Sequence, residues 1–152
     1  MVSGTPDPCQ LLPTASVAAV LGDPPPAPKT SIEPEAPLNH RQCEWKVPSD
    51  DFTGKVIYLS VTTTEGMKEG GAGGGSYTAK NLYDDTLVLY AGAVDVPGLG
   101  DGAFFTDSAM TDLNALVGDA LLDVSALNAG SDATPVTGDQ LQTLMKAAIA
   151  SL

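Results

Sequence analysis

Histidine occurs once in this 152-residue chain, cysteine twice, and aromatic residues make up only 5% of it. One histidine and two cysteines outside any C-x-x-C arrangement leave no plausible zinc set. Basic residues are also scarce, with 7 Lys and Arg against 19 Asp and Glu, a formal net charge of −12. Binding to a phosphate backbone runs on clustered Lys and Arg, so this balance argues against nucleic acid as a partner. It disfavours adsorption to anionic lipid for the same reason. No apolar run approaches the ~20 residues of a membrane helix. The opening, Met1-Val2-Ser3-Gly4-Thr5-Pro6-Asp7-Pro8, has neither the basic region nor the apolar stretch of a secretory leader.

What is present is a chain with 43% hydrophobic residues, too many for wholesale disorder and enough for one core. The expected organisation is a flexible spacer over residues 1–8 and a single domain over 9–152. Charge is uneven along it. Residues 1–80 hold 9 acids and 6 bases (net −3), whereas 81–152 hold 10 acids and only Lys146 (net −9). The acids are scattered, which fits a solvated surface; their summed field would also attract a cation or a basic partner.

Cys9 and Cys43 stand 34 residues apart around a proline-rich stretch. A disulfide closing that loop would remove about 3–4 kcal/mol of denatured-state entropy and would require an oxidising compartment. Two buried free thiols acting as small hydrophobes are the alternative. Trp45, two residues beyond Cys43, is expected to anchor the core.

Thr14 is the expected cap of a short helix that Gly22 stops. Six prolines between 23 and 37 point to an extended surface loop. Residues 43–47 and 55–64 read as paired strands joined by a turn at 48–51. Ile57, Leu59 and Val61 alternate with Tyr58, Ser60 and Thr62, so one strand face is buried. Six glycines in 65–76 suggest a flexible loop. Ser76 then caps a helix reaching about Tyr90, with Leu82, Thr86, Leu89 and Tyr90 facing inward; 86–90 also suits a strand.

A glycine-rich turn follows at Val96-Pro97-Gly98-Leu99-Gly100-Asp101-Gly102-Ala103. Three strands are expected at 103–106, 112–117 and 120–127, the last two joined by a Gly118-Asp119 hairpin turn. After a loop over 128–135, Leu141, Leu144, Met145, Ala148, Ile149 and Leu152 form an apolar stripe at helical period, with Thr137 or Asp139 as cap. The expected fold is α+β: an antiparallel sheet of about five strands, with two or three helices packed on one face and one disulfide. Helix followed by hairpin occurs twice, without a residue-level repeat.

Several chemistries fail on spacing. Gly98-x-Gly100-x-x-Ala103 matches the dinucleotide fingerprint formally, but Pro97 precedes it and a strand follows where a helix is needed. The glycines of 70–75 lack the Gly-Lys-Ser/Thr ending of a phosphate loop. His40 sits in a proline-rich segment and reads as a surface histidine, and no Gly-x-Ser-x-Gly is present. Asp50/Asp51 and Asp84/Asp85 are sequence neighbours whose side chains diverge. Asp101, Asp107, Asp112 and Asp119 lack the spacing of a calcium loop. No catalytic residue, metal ligand or cofactor is assigned. Gly98, Gly100 and Asp101 are the weak ligand-binding candidates, since the turn's amides could face a ligand; a tight turn needing positive φ is the alternative.

Asp7-Pro8-Cys9-Gln10-Leu11-Leu12-Pro13-Thr14, Val17 to Gly22 and Cys43-Glu44-Trp45 resemble a family of small actinobacterial cell-envelope lipoproteins of unknown function. Val96-Pro97-Gly98-Leu99-Gly100-Asp101 before Ala103-Phe104 is similar to that family's central turn, and a C-terminal amphipathic helix is usual in it. The resemblance implies export, a removed signal peptide, and a Cys9–Cys43 bridge. It also implies a native lipid anchor on a cysteine that this chain does not contain. It brings no catalytic residues and no ligand.

The expected function is therefore an exported, non-enzymatic cell-envelope domain that binds a small ligand or an envelope protein. Two alternatives stand beside it. One is a cation-dependent hydrolase using dispersed acids of the 81–152 half; the other is a structural or inhibitory envelope protein presenting its proline and glycine loops.

Overall fold

A computed structural model of the chain describes residues 4–22, 27–47, 54–128 and 135–152. Two antiparallel meanders form one seven-stranded sheet. The first comprises β1 (Lys29–Ile32), β2 (Arg41–Val47) and β3 (Lys55–Thr63). The second comprises β4 (Val94–Asp95), β5 (Gly102–Phe105), β6 (Asp112–Val117) and β7 (Ala120–Asn128). β3 pairs with β7, so the strand order is β1-β2-β3-β7-β6-β5-β4. The expected five strands are thus seven. One addition, β1, lies inside the stretch read as a proline loop. Its four residues carry no proline, and it pairs only with β2 at the sheet edge, where flanking prolines are tolerated. The other addition, β4, is a two-residue partner of β5.

Alternation along the strands creates two different faces. Ile57, Leu59 and Val61 of β3 share one face with Ala103 and Phe105, Leu113 and Ala115, and Leu122 and Val124. All are fully buried there, each large side chain contributing about 1.5–3 kcal/mol. Three helices cover this face: α1 (Pro8–Leu11), α2 (Thr14–Leu21) and the C-terminal helix (Gly138–Ala150). Leu141, Leu144, Met145 and Ala148 of that last helix are buried, as its period requires, whereas Leu152 is half exposed. Thr137 caps it in a reciprocal capping box with Gln140. Thr14 is the first helical residue of α2 rather than its cap; Pro13 precedes it as the cap without a side-chain bond.

Helices on one face only were expected, but the opposite face is covered too. The glycine-rich 65–76 segment is α3 (Thr64–Gly70) followed by a 3-10 turn at Ala72–Gly75. Thr63 caps α3 by accepting the Gly66 amide at 3.0 Å, and Met67 is fully buried against Phe104, Leu116 and Leu121. Tertiary burial of one methionine, with a good cap, outweighs the poor helix propensity of glycine. Gly66 is required there: a Cβ would sit 2.3 Å from the Thr5 hydroxyl. α4 (Ala79–Leu89) follows, capped by Thr78 rather than Ser76, in a capping box with Asn81. The expected inward stripe is displaced. Ala79 and Tyr83 are buried, while Leu89 and Tyr90 are 79% and 42% exposed. Numbering the helices in chain order, the C-terminal one is α5.

Cys9 and Cys43 are joined, with Cα atoms 5.2 Å apart, within the range a disulfide spans. The bridge ties α1 to β2, and Trp45 lies fully buried in the same core. The chain before the bridge is also tied down from Gly4 onward. Thr5 is buried and donates to the Asn39 carbonyl at 3.0 Å, and Thr63 donates to the Gly4 carbonyl at 3.1 Å. The expected turn at 48–51 lies outside the described residues, as does most of the 128–135 loop.

Candidate functional site

On the face opposite the α1–α2–α5 core, α3 packs beside β3 and α4 lies over β6 and β7. The register lines up side chains in a row across five strands of this face: Gln42 (β2), Ser60 (β3), Asp123 (β7), Asn114 (β6) and Phe104 (β5). The neighbouring row holds Tyr58, Ser125 and Asp112. Where the row passes beneath α4, a cleft of about 270 Å3 opens. It is lined by His40, Ser60, Thr62, Leu82, Thr86, Asn114, Leu121 and Asp123. Leu82 and Thr86 come from one face of α4, four residues apart; His40 comes from the segment entering β2.

Hydrogen bonds within the protein occupy some of the donors of this lining. Ser60 donates to the Gln42 side-chain oxygen at 2.6 Å, and Gln42 in turn donates to Ser31 at 3.1 Å. Thr86 donates to the Leu82 carbonyl at 2.7 Å. Asn114 donates to Asp112 Oδ1 at 3.4 Å. Asp123 Oδ1 and His40 Nδ1 are buried without a hydrogen-bond partner. Buried polar atoms in folded proteins are nearly always paired, so two orphans in one cleft are notable.

Burial holds the Asp123 carboxyl well above the ordinary carboxylate range. A hydrogen bond from its side chain to Asp112, and then the Asp112 charge, push the same way. Asp112 and Asp123 are eleven residues apart in sequence, so no spacing rule pairs them. The legible signal is subtler: Leu121, Asp123 and Ser125 alternate with the core residues Leu122 and Val124, which places an acid on a partly covered face. His40 was read as a surface residue and is instead half-buried in the cleft lining.

The weak candidates Gly98, Gly100 and Asp101 lie elsewhere, in the turn before β5. Asp101 donates its amide to the Leu116 carbonyl at 2.7 Å and accepts the Gly118 amide at 2.6 Å through Oδ2. Gly98 and Gly100 have φ of 77° and 60°. Asp101 thus splints the turn to the β6–β7 hairpin. The sequence-adjacent Asp84 and Asp85 diverge, pairing with Lys80 at 2.6 Å and with the Tyr77 hydroxyl respectively.

A second, wider concavity of about 350 Å3 lies between Gly4, Thr64, Glu65, Val117, Asp119 and Leu152; its lining includes no buried polar atom without a partner. Among the described residues, no group of three or more His, Cys, Asp or Glu is placed to hold a metal ion, and no helix is long and apolar enough to cross a membrane. Comparison with protein-family models, curated proteins and solved structures finds no match for this chain.

Proposed function

We propose that this chain is an exported, non-enzymatic binding domain of the cell envelope, similar to the small actinobacterial lipoproteins its sequence resembles, and that the α4 cleft holds a small polar ligand. One observation carries the binding part: a concave site with two unpartnered buried polar atoms, on a sheet face that the helices leave partly open. The disulfide supports export, because such a bond persists in oxidising compartments. A fragment screen followed by two-dimensional amide NMR tests the cleft. Ligands shift the amides of Ser60, Thr62, Asn114 and Asp123 together, and Leu82→Trp, which fills the cleft, removes the effect. Hits that perturb only the Gly98–Asp101 turn would overturn it.

The cation-dependent hydrolase reading keeps one observation in its favour, the cleft carboxyl of Asp123, which burial and its neighbour Asp112 hold above the ordinary range, since such perturbed carboxyls serve acid–base chemistry. Calorimetric titration with calcium, magnesium and zinc separates the two. Heat lost in Asp123→Asn, together with a turnover that the cation restores, supports the hydrolase; neither signal supports the binding domain.

A further inference from the structure

Resting on the cleft reading, we infer that the α4 cleft takes an uncharged small ligand of the primary-carboxamide class, carried on a short hydrocarbon part. The selection follows from what each lining side chain offers. Donors come from the Thr62 hydroxyl and from the second Asn114 N–H, the first going to Asp112 at 3.4 Å. The His40 imidazole takes either role, and its Nδ1 is buried without a partner in the protein. Acceptors come from the Thr62 and Asn114 oxygens, and from Ser60 and Thr86, whose hydroxyl protons go to Gln42 and the Leu82 carbonyl. Both roles are on offer. An ammonium group leaves the donors of the lining unmet, and a ketone or carboxylate leaves its acceptors unmet, each a cost in a buried site. A primary carboxamide, with one carbonyl oxygen and two N–H groups, meets both.

Charge points the same way. Neither Lys nor Arg lines the cleft, and the formal net charge of −12 repels an anion at longer range. For a cation, the one carboxyl in the lining is Asp123, whose neutral form is favoured by burial and by Asp112. Asp112 itself does not line the cleft, and it already holds the Asn114 N–H and the hydrogen bond with Asp123. A metal ion fares no better, since hard divalent ions want about six or more oxygens with several carboxylates. Leu82 and Leu121 supply an apolar wall that rewards hydrocarbon. At about 270 Å3 the cleft lies below the usual range for drug-sized ligands, so the occupant is smaller than those.

The test titrates the full chain with butyramide, n-butylammonium, butyrate and 2-pentanone at neutral pH and constant ionic strength. The amides of Ser60, Thr62, Asn114 and Asp123 are followed by NMR. The four probes share a short alkyl chain and differ in charge and in donors. Butyramide is expected to give saturable shifts at those positions, with the two ions and the acceptor-only ketone at least about tenfold weaker. Thr62→Val keeps shape and strand preference but loses the hydroxyl, and is expected to weaken butyramide about fivefold. Either ion or the ketone binding in the cleft as tightly as butyramide overturns the selection and leaves the cleft reading standing. Equal butyramide affinity in Thr62→Val overturns it as well. No saturable shift with butyramide also overturns the selection, and the fragment screen then decides the cleft by itself. The four-probe comparison on the unsubstituted protein needs no variant to fold.

Discussion

The Asp123 carboxyl on β7 lies against Asp112 on β6, and burial, the hydrogen bond with Asp112 and the Asp112 charge together hold it well above the ordinary carboxylate range. This relationship sets the sign of a pH effect. Folding raises the Asp123 carboxyl above its ordinary value of 3.8, so the folded chain binds the proton more tightly than the unfolded one. The resulting stabilisation is complete below the ordinary value and is lost as pH rises through the folded one. Asp123→Asn cannot ionise and is expected to flatten that decline. Urea denaturation across pH 3.5 to 8 checks it, and an equal slope in both proteins would count against the raised Asp123 carboxyl.

Removing the Cys9–Cys43 bridge as the paired Ala variant is expected to cost about 2–4 kcal/mol, because the 34-residue separation is no longer closed in the unfolded chain. Urea denaturation of the variant beside the oxidised and reduced natural chain measures this. The reduced chain should fall near the variant.

Gly98 and Gly100 separate two effects that their common turn conceals. Both have positive φ, but a Cβ at Gly98 meets open space, while one at Gly100 would lie 2.5 Å from the Leu116 carbonyl oxygen. Gly98→Ala is expected to cost about 1 kcal/mol from backbone strain alone. Gly100→Ala adds displacement of the β6–β7 hairpin and is expected to cost about 3 kcal/mol. Thermal melts of the two variants order them.

Tyr77 donates its hydroxyl to Asp85, and that bond, then burial, then the Asp85 charge push the phenol up to about 12. Spectrophotometric titration at 295 nm, differenced against Tyr77→Phe, is expected to show this phenol ionising last. Asp85→Asn should return it toward 10. Tyr83 is also raised, chiefly by burial and then by Asp95 and Asp84, and the difference spectrum keeps it out of the reading.

Local chemistry written into the chain determined much of this protein. The stripe from Leu141 to Ala148 dictated α5, because a 3.6-residue period has one way to bury it. Alternation in 57–62 dictated a strand with one buried face, and Gly118 at φ 56° dictated the hairpin that β6 and β7 share. The two cysteines also meet as their flanking elements suggested. Tertiary structure decided the rest. Glycine-rich residues 64–70 became a helix only because Met67 has a core to enter, and 29–32 became a strand only because β2 offers an open edge. The cleft itself depends on β3, β6 and β7 lying side by side. Pairing in a sheet unites residues by register rather than by sequence distance, so no periodicity along the chain announced that Ser60, Asn114 and Asp123 would stand in one row, or that His40 would join them.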